Sequence, residues 1–399
     1  MESLEGALSI LLSHAKPVTD AQELPLLDAL NRIAAEDVVS PMNVPPFNRS
    51  PLDGYALHSE DIAGASREHP AVVKVIGEAC AGCGDVFRPV RGEAVRVMTG
   101  APVPETCDCV IRQEDTDEGM DYAEIYAPVS HGRNICLAGE DVAAGEVLVH
   151  AGEKLTATHL AVLAGVGKAR VKVVRRVRAA LLCTGDELTQ PGQPLTFGKI
   201  YDSNQMALTA RLAELGVECV QLGELSDDPQ NVADALAHAA LEADIILTTG
   251  GVSVGKKDIF HQVLPLMGAE RLFWRIAMKP GSPLLCGLYQ DKLMICLSGN
   301  PFAALCCFEV FVVPTLRRLS GETSIEAKRV KTRLRGEFPK PSPGRRLIRA
   351  VFDGETVRPA SGNHSSGSLS ANIGCNCLID IPAGTGALHQ DDEVEVVLI

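Results

Sequence analysis

The stretch ADIILTTGGVSVG, residues 243–255, decides how the chain is read. Its first half is a short apolar run, as expected of a strand buried on both faces in a parallel sheet. Its second half gathers Gly250, Gly251, Ser253 and Gly255 into one loop. A plain turn needs one or two such residues. Three glycines and a serine let backbone N–H groups approach an anion closely, and an adjoining helix start adds the positive end of its dipole.

Working outward, RAALLC at 178–183 is a second buried-strand run, followed by Thr184-Gly185-Asp186-Glu187. Residues 292–296 form a third, followed by Leu297-Ser298-Gly299-Asn300-Pro301. Between these lie a helix at 203–215 stopped by Gly216, a strand at 218–222, and a helix opened by Asp228 as N-cap with Pro229 in its first turn. Such alternation predicts a parallel sheet with right-handed crossovers, running to about Ser320. Ligands of such sheets bind at the loops that follow the strands. Met278-Lys279-Pro280-Gly281 holds a lysine on a rigid turn beside them.

The flanks read differently. Leu4, Ala7, Leu8, Leu11 and Leu12 have helical spacing over residues 3–14, and a second helix is expected at 26–35. Residues 38–48 are extended and proline-rich. Short β-like runs at 71–75, 94–98, 109–113 and 123–126 are punctuated by Gly and Pro, and helical periodicity returns at 156–163. After 326 come short alternating strands with Gly-rich turns. The expected fold is α/β plus β and multidomain. Residues 1–48 and 141–176 form a discontinuous N-terminal domain, and 49–140 an inserted β-rich domain. Residues 177–325 form the parallel-sheet α/β domain and 326–399 a C-terminal β-barrel.

The formal charge of −14 over 399 residues, spread along the chain, argues against nucleic acid or an anionic membrane, which need a basic face. No secretory signal pattern and no 18-residue apolar run is present, so a cytoplasmic protein is expected. Thirteen cysteines then read as reduced thiols; Cys80 and Cys83 have the spacing of half a zinc site, without a second half. Asp186, Glu187, Asp227 and Asp258 are placed to converge at the sheet rim, where Mg²⁺ takes one or two carboxylates together with substrate phosphate oxygens. No Walker-type Gly-Lys-Ser/Thr motif is present, which excludes a P-loop nucleotide hydrolase.

Seven segments in order make the pattern specific: Asp53-Gly54-Tyr55-Ala56, Met98 to Pro104, Gly139-Glu140-Asp141, Thr184 to Leu188, Gly250 to Gly255, Lys279-Pro280-Gly281 and Gly299-Asn300-Pro301. The chain resembles, over essentially its whole length, the MoeA family of molybdopterin molybdenumtransferases, to which the gephyrin E domain also belongs. The resemblance implies an enzyme that inserts molybdate into adenylylated molybdopterin and releases AMP with Mg²⁺. It also implies a homodimer in which Asp53 of one subunit faces the α/β cleft of the other, and contact with a MogA-type adenylyltransferase. Asp53, Asp141, Glu187, Asp227, Asp258 and Lys279 become catalytic candidates, with Glu187, Asp227 and Asp258 as metal ligands. Thr99, Thr184, Gly185, Gly250, Gly251, Ser253, Gly255, Arg275, Ser282, Gly299, Asn300, Pro301 and Ser366 become substrate-binding candidates. Five positions depart from the family pattern. Ser282 replaces a lysine, Arg275 another lysine, Ser298 a proline, Ala303 a serine and Cys136 an arginine. Loss of cationic groups motivates an alternative, a diverged paralogue handling tungstate or another pterin form, with Arg275 or Arg349 compensating. A non-catalytic scaffold is the other alternative, although a scaffold has no need of a phosphate cradle.

Overall fold

Three strands set the frame. Arg178–Cys183, Ile245–Thr249 and Lys292–Leu297 lie side by side and parallel, with Glu218–Gln221 parallel on the outer side of the first. Leu285–Tyr289 and Glu270–Trp274 continue the sheet in antiparallel pairings. The structure, a computed structural model, describes the chain apart from Cys83, Glu224, Ser226, Asp227, residues 253–258 and Asn363.

Alternation along these strands feeds two cores. Ala179, Leu181, Ile245 and Leu247 pack against Leu208 and Leu212 of the helix Ser203–Glu214 and against Leu4, Ala7 and Leu11 of the helix Leu4–His14. Ala180, Leu182 and Ile246 pack against Val232 and Leu236 of Pro229–Ala239 and Phe260 and Val263 of Phe260–Met267. A strand residue flips faces at every step, so a run that is apolar throughout serves both layers. The helices start where side chains can satisfy their first N–H groups: Ser3 accepts from Gly6 (3.0 Å), Asp202 from Gln205 (2.9 Å) and Asp228 from Asn231 (2.9 Å). In register, Cys183 stands level with Thr249 and Thr249 with Leu297, so three successive loops leave the sheet at one rim.

Residues 26–35 do not form the expected α-helix. Only Leu27–Ala29 makes a 3₁₀ turn, Asn31 has φ 63°, and Ile33 and Ala34 bridge to Lys154 and Val173. Long-range pairing overrides the local periodicity there. Ala21–Pro25 pairs with Arg170–Val174, and Val38–Val39 with Val147–Val149, drawing together segments on either side of a five-stranded sheet. That sheet runs Cys109–Arg112, Gly54–Leu57, Glu93–Val97, Ala71–Ala79, Tyr122–Ile125. Gly54 lies in it so close to its neighbour that a Cβ would overlap the Ile111 carbonyl oxygen.

The C-terminal strands close on themselves. Cys377–Ile381 pairs with both Glu393–Leu398 and Arg345–Phe352, and Thr356–Pro359 and Arg329–Leu334 complete a five-stranded barrel. Met278–Lys279 adds alongside, with Lys279 opposite Arg346, tying the α/β unit to the barrel. Among the described residues no helix is long and apolar enough to cross a membrane.

One buried ion cluster pins this junction. Asp380 is 5% exposed, and its carboxylate accepts from Arg345 (2.8 and 2.5 Å) and Arg329 (2.8 Å); Arg345 also reaches Glu5 on the first helix. Burial works against the charged carboxylate, but the two guanidiniums outweigh it and hold Asp380 below the usual carboxylate range. Stability from such a group is present above the unfolded pKa and is lost as pH falls through the folded one. Asp380→Asn should therefore cost about 1.5–3 kcal/mol near neutral pH, since it removes the buried carboxylate that both guanidiniums share, while Arg345 keeps Glu5 and Arg329 keeps Glu395. Denaturant titration should show that penalty shrinking below about pH 4, where the wild type progressively loses the same charge.

Candidate active site

The three loops at the sheet rim come together because their backbones clasp one another. Thr184 N donates to the Thr249 carbonyl (2.9 Å) and Gly250 N to the Leu297 carbonyl (3.2 Å). Gly250 has φ 92°, and a Cβ there would overlap the Thr184 carbonyl oxygen, so no other residue fits. Asn204, in the first turn of Ser203–Glu214, locks the arrangement. Its amide donates to Thr249 Oγ1 (3.0 Å) and to the Gly299 carbonyl (2.8 Å), bridging two loops.

The result is a cleft of about 930 Å³ between this rim and the barrel. It brings together Thr184, Gly185, Glu187, Gly250, Gly251, Lys279, Ser282, Gly299, Asn300, Pro301 and Ser366. Gly185, Gly251 and Gly299 offer N–H groups that donate to no other described residue. Gly185 and Gly251 are half-buried, where backbone donors without partners are unusual unless something outside the chain accepts from them, while Gly299 is exposed. Glu187 and Lys279 are exposed in the cleft, and the Glu187 carboxylate folds back over Gly185, where a Cβ would collide with it. Among the described residues Lys279 has no ion-pair partner. The Asp186-Glu187 segment is stapled to a short parallel strand pair, Leu188–Thr189 with Ile200–Tyr201: Lys199 Nζ donates to the Asp186 carbonyl (2.6 Å) and Ile200 N to the Glu187 carbonyl (2.8 Å).

The barrel supplies the opposite wall. Arg346 and His364 line the cleft, and neither stands out in the sequence. Arg346 faces Lys279 across the parallel pairing, a neighbourhood that only tertiary structure creates. Burial, and then the nearby Arg349 and Arg346, push the His364 imidazolium pKa down, so the ring is neutral at pH 7. Arg349 is not itself a cleft residue. It is 1% exposed, donates to the carbonyls of Ser368 (2.7 Å) and Ser365 (2.8 Å), and stacks on Phe302 with 3.7 Å to the ring centre. With Phe302 N donating to the Ser366 carbonyl (2.9 Å), it presents Ser366 to the cleft.

Other candidates lie elsewhere. Asp53 and Thr99 do meet, Thr99 donating to the carboxylate through its N–H (2.7 Å) and hydroxyl (2.8 Å), which lowers the Asp53 pKa. That pair and the exposed Asp141 belong to the five-stranded sheet and its return segment, and none lines the cleft of its own chain. Arg275 also lies outside it, its guanidinium 4.4 Å from the Trp274 ring centre. Asp227, Ser253, Gly255 and Asp258 are outside the described residues. Ser282 lines the cleft, yet its hydroxyl donates to the Ile276 carbonyl (2.9 Å), and Ser298 Oγ accepts from Asn300 N (3.3 Å). Both departures thus serve as turn braces, and Arg346 rather than Arg349 or Arg275 adds a second cation to the cleft.

Comparison with known proteins agrees with this arrangement along the whole chain. Residues 2–167 match the family description "MoeA N-terminal region (domain I and II)", 180–318 "Probable molybdopterin binding domain", and 331–399 "MoeA C-terminal region (domain IV)". A molybdopterin molybdenumtransferase from Staphylococcus aureus (strain MSSA476) is 36% identical over 93% of this chain and 89% of its own length. One from Bacillus subtilis (strain 168) is 36% identical over 97% and 91%. Two solved molybdopterin biosynthesis MoeA proteins from Pyrococcus horikoshii are 34% and 28% identical, with TM-scores of 0.87 and 0.86. The first match covers 99% of this chain and 98% of the other, the second 100% of each. The fold and these matches define a transferase whose α/β domain corresponds to the family's probable molybdopterin-binding domain. The chain belongs to the MoeA family of molybdopterin molybdenumtransferases, enzymes of molybdenum cofactor biosynthesis.

Asn204→Leu removes the clip while keeping side-chain volume. Losing two hydrogen bonds, one of which leaves the Gly299 carbonyl unpaired, should cost about 1–3 kcal/mol. Amide exchange should rise at 249–251 and 299–300 while the barrel is unchanged. Equal exchange in both proteins would show that the loops hold one another without Asn204.

Proposed function

We propose that this chain inserts molybdate into adenylylated molybdopterin and releases AMP in a Mg²⁺-dependent step. The observation that carries the reading is the set of N–H groups of Gly185, Gly251 and Gly299, without a partner among the described residues, in one cleft with Lys279 and Glu187. Splitting a phosphoanhydride calls for stabilisation of negative charge more than for a covalent nucleophile. The three amides are suited to hold phosphate oxygens from the α/β side. Lys279 and Arg346 supply the charge that attracts an oxyanion, and the neutral His364 and the Ser366 hydroxyl can donate hydrogen bonds without adding charge.

Glu187 is the described carboxylate that fits a Mg²⁺ role. Among the described residues no three His, Cys, Asp or Glu side chains cluster as a metal cage. Mg²⁺ would take one or two of the three proposed carboxylates, Glu187, Asp227 and Asp258, and complete its shell with phosphate oxygens and water. Asp227 and Asp258 are the remaining proposed ligands. Bound there, Mg²⁺ would neutralise charge on the phosphate.

The placement of Asp53, Thr99 and Asp141 away from their own cleft supports a homodimer in which each subunit lends them to its partner. An adenylyltransferase of the MogA type would supply the substrate.

Gly299 gives the cleaner test of the amide cradle. A Cβ on Gly251 would press on Ile259 and Phe260 at 3.1 Å, whereas one on Gly299 meets Gly250 at ordinary distances, its Cα at 3.5 Å and its N at 3.8 Å. Gly299→Ala should keep the fold and weaken AMP binding at least tenfold, about 1.4 kcal/mol, by calorimetry. Unchanged affinity would remove the amides from the binding site. Titration with molybdate and tungstate in parallel decides between the two oxyanions.

Subunit sharing has its own test. Asp53→Asn and Glu187→Gln chains, each inactive alone, should regain activity when mixed, because one site per heterodimer is intact. Demonstrated subunit exchange without recovery would mean that each chain works alone.

A further inference from the structure

Two neighbouring arginines on the strand Arg345–Phe352 are held in opposite ways. Arg345 is bonded to the Asp380 carboxylate and to Glu5. Arg346, which lines the cleft, has no side-chain hydrogen bond and no ion pair among the described residues. A long side chain left that way samples several rotamers, because holding it in one costs conformational entropy. What stands beside it is an aromatic ring. The Arg346 guanidinium carbon lies 5.8 Å from the centre of the Phe338 ring, inside the span of about 6 Å over which a ring face attracts a cation. The same ring meets His364 in a T-shaped contact, with centres 5.6 Å apart and planes at 89°. His364 has a second tie, to the Ala360 backbone. Phe338 itself is fixed: it is 6% exposed in the barrel core, and its backbone pairs with Leu388 in both directions at 2.9 Å.

We propose that Phe338 is a positioning residue of the cleft: its ring holds the Arg346 guanidinium beside His364, so that the barrel wall meets an oxyanion with a cation and an imidazole at set places. The inference rests on the anion-binding reading of the cleft. Phe338 does not line the cleft and acts through Arg346. A ring suits this task better than a carboxylate. A carboxylate, like the one on Arg345, would cancel the charge and occupy the N–H groups; a ring face steadies the guanidinium and leaves both for the ligand. Strand pairing fixes the other end of the side chain, since the Arg346 backbone stands opposite Lys279 on one side and Ile381 on the other.

Phe338→Met keeps an apolar, adaptable side chain and removes the ring, and Phe338→Tyr restores one. By calorimetry on the full-length protein, Phe338→Met should weaken inorganic molybdate at least fivefold and leave AMP within twofold, while Phe338→Tyr binds both as the wild type does. Arg346→Met should weaken molybdate at least as much, and adding Phe338→Met to it should weaken binding no further, because the ring acts through the guanidinium. Unchanged molybdate affinity in Phe338→Met, or losses that add in the double variant, would overturn the proposal. A second measurement needs no ligand. Side-chain ¹⁵N relaxation of the wild type should show Arg346 Nε more restrained than that of the exposed Arg358, and Phe338→Met should release it. An Arg346 as mobile as Arg358 in the wild type, or equally restrained in both proteins, would overturn the proposal. Failure of the wild type to bind molybdate would instead remove the anion-binding reading, and the relaxation contrast would still decide whether the ring holds Arg346.

Discussion

Gly250 lies with its Cα against the Thr184 carbonyl, and the rest of the cleft depends on that contact. Three parallel strands ending level would bring any three loops near one another. Only a residue without a side chain lets two of them touch backbone to backbone. Once they touch, Asn204 can span from Thr249 to Gly299, and the N–H groups of Gly185, Gly251 and Gly299 are left without a partner among the described residues. A binding surface made of main chain is rigid and needs no reorganisation when charge develops on a bound phosphate. It also accounts for Gly250, where any side chain would collide with the Thr184 carbonyl.

The barrel completes this surface. Lys279 is carried to Arg346 by strand addition, so both cations are positioned by backbone hydrogen bonds rather than by long flexible side chains. Arg349 is spent wholly on structure, its guanidinium stacked on Phe302 and bonded to two carbonyls of the Ser366 loop. At the far side the Asp380 cluster ties barrel strands to the first helix through Arg345 and Glu5. Cleft geometry is thus coupled to the junction between the α/β unit and the barrel.

Much of this was legible in the chain. The strands at 178–183, 245–249 and 292–297 are buried on both faces and so apolar along most of their length, which makes them visible without knowledge of partners. The helix start at Asp228 is local chemistry and equally visible. Residues 26–35 misled because apolar spacing there serves pairing with residues more than a hundred positions away. Gly54–Leu57 was quoted as a motif but not seen as a strand, being four residues long with a glycine that only close packing against Ile111 explains. Arg346, His364 and Asn204 gave no signal, since a charged or amide side chain near a turn is ordinarily solvated. Arg349 read as a spare cation because burial of a guanidinium under an aromatic ring leaves no local trace.

The central claim is that main-chain N–H groups of adjacent strand loops, not side chains alone, grip the phosphate end of the ligand. A crystal structure of the protein with AMP and Mg²⁺ tests it most directly. The account places phosphate oxygens within hydrogen-bond distance of the amides of Gly185, Gly251 or Gly299, with Lys279 on the same side of the cleft. A phosphate held only by side chains, or seated away from these loops with the three amides facing water, would contradict it.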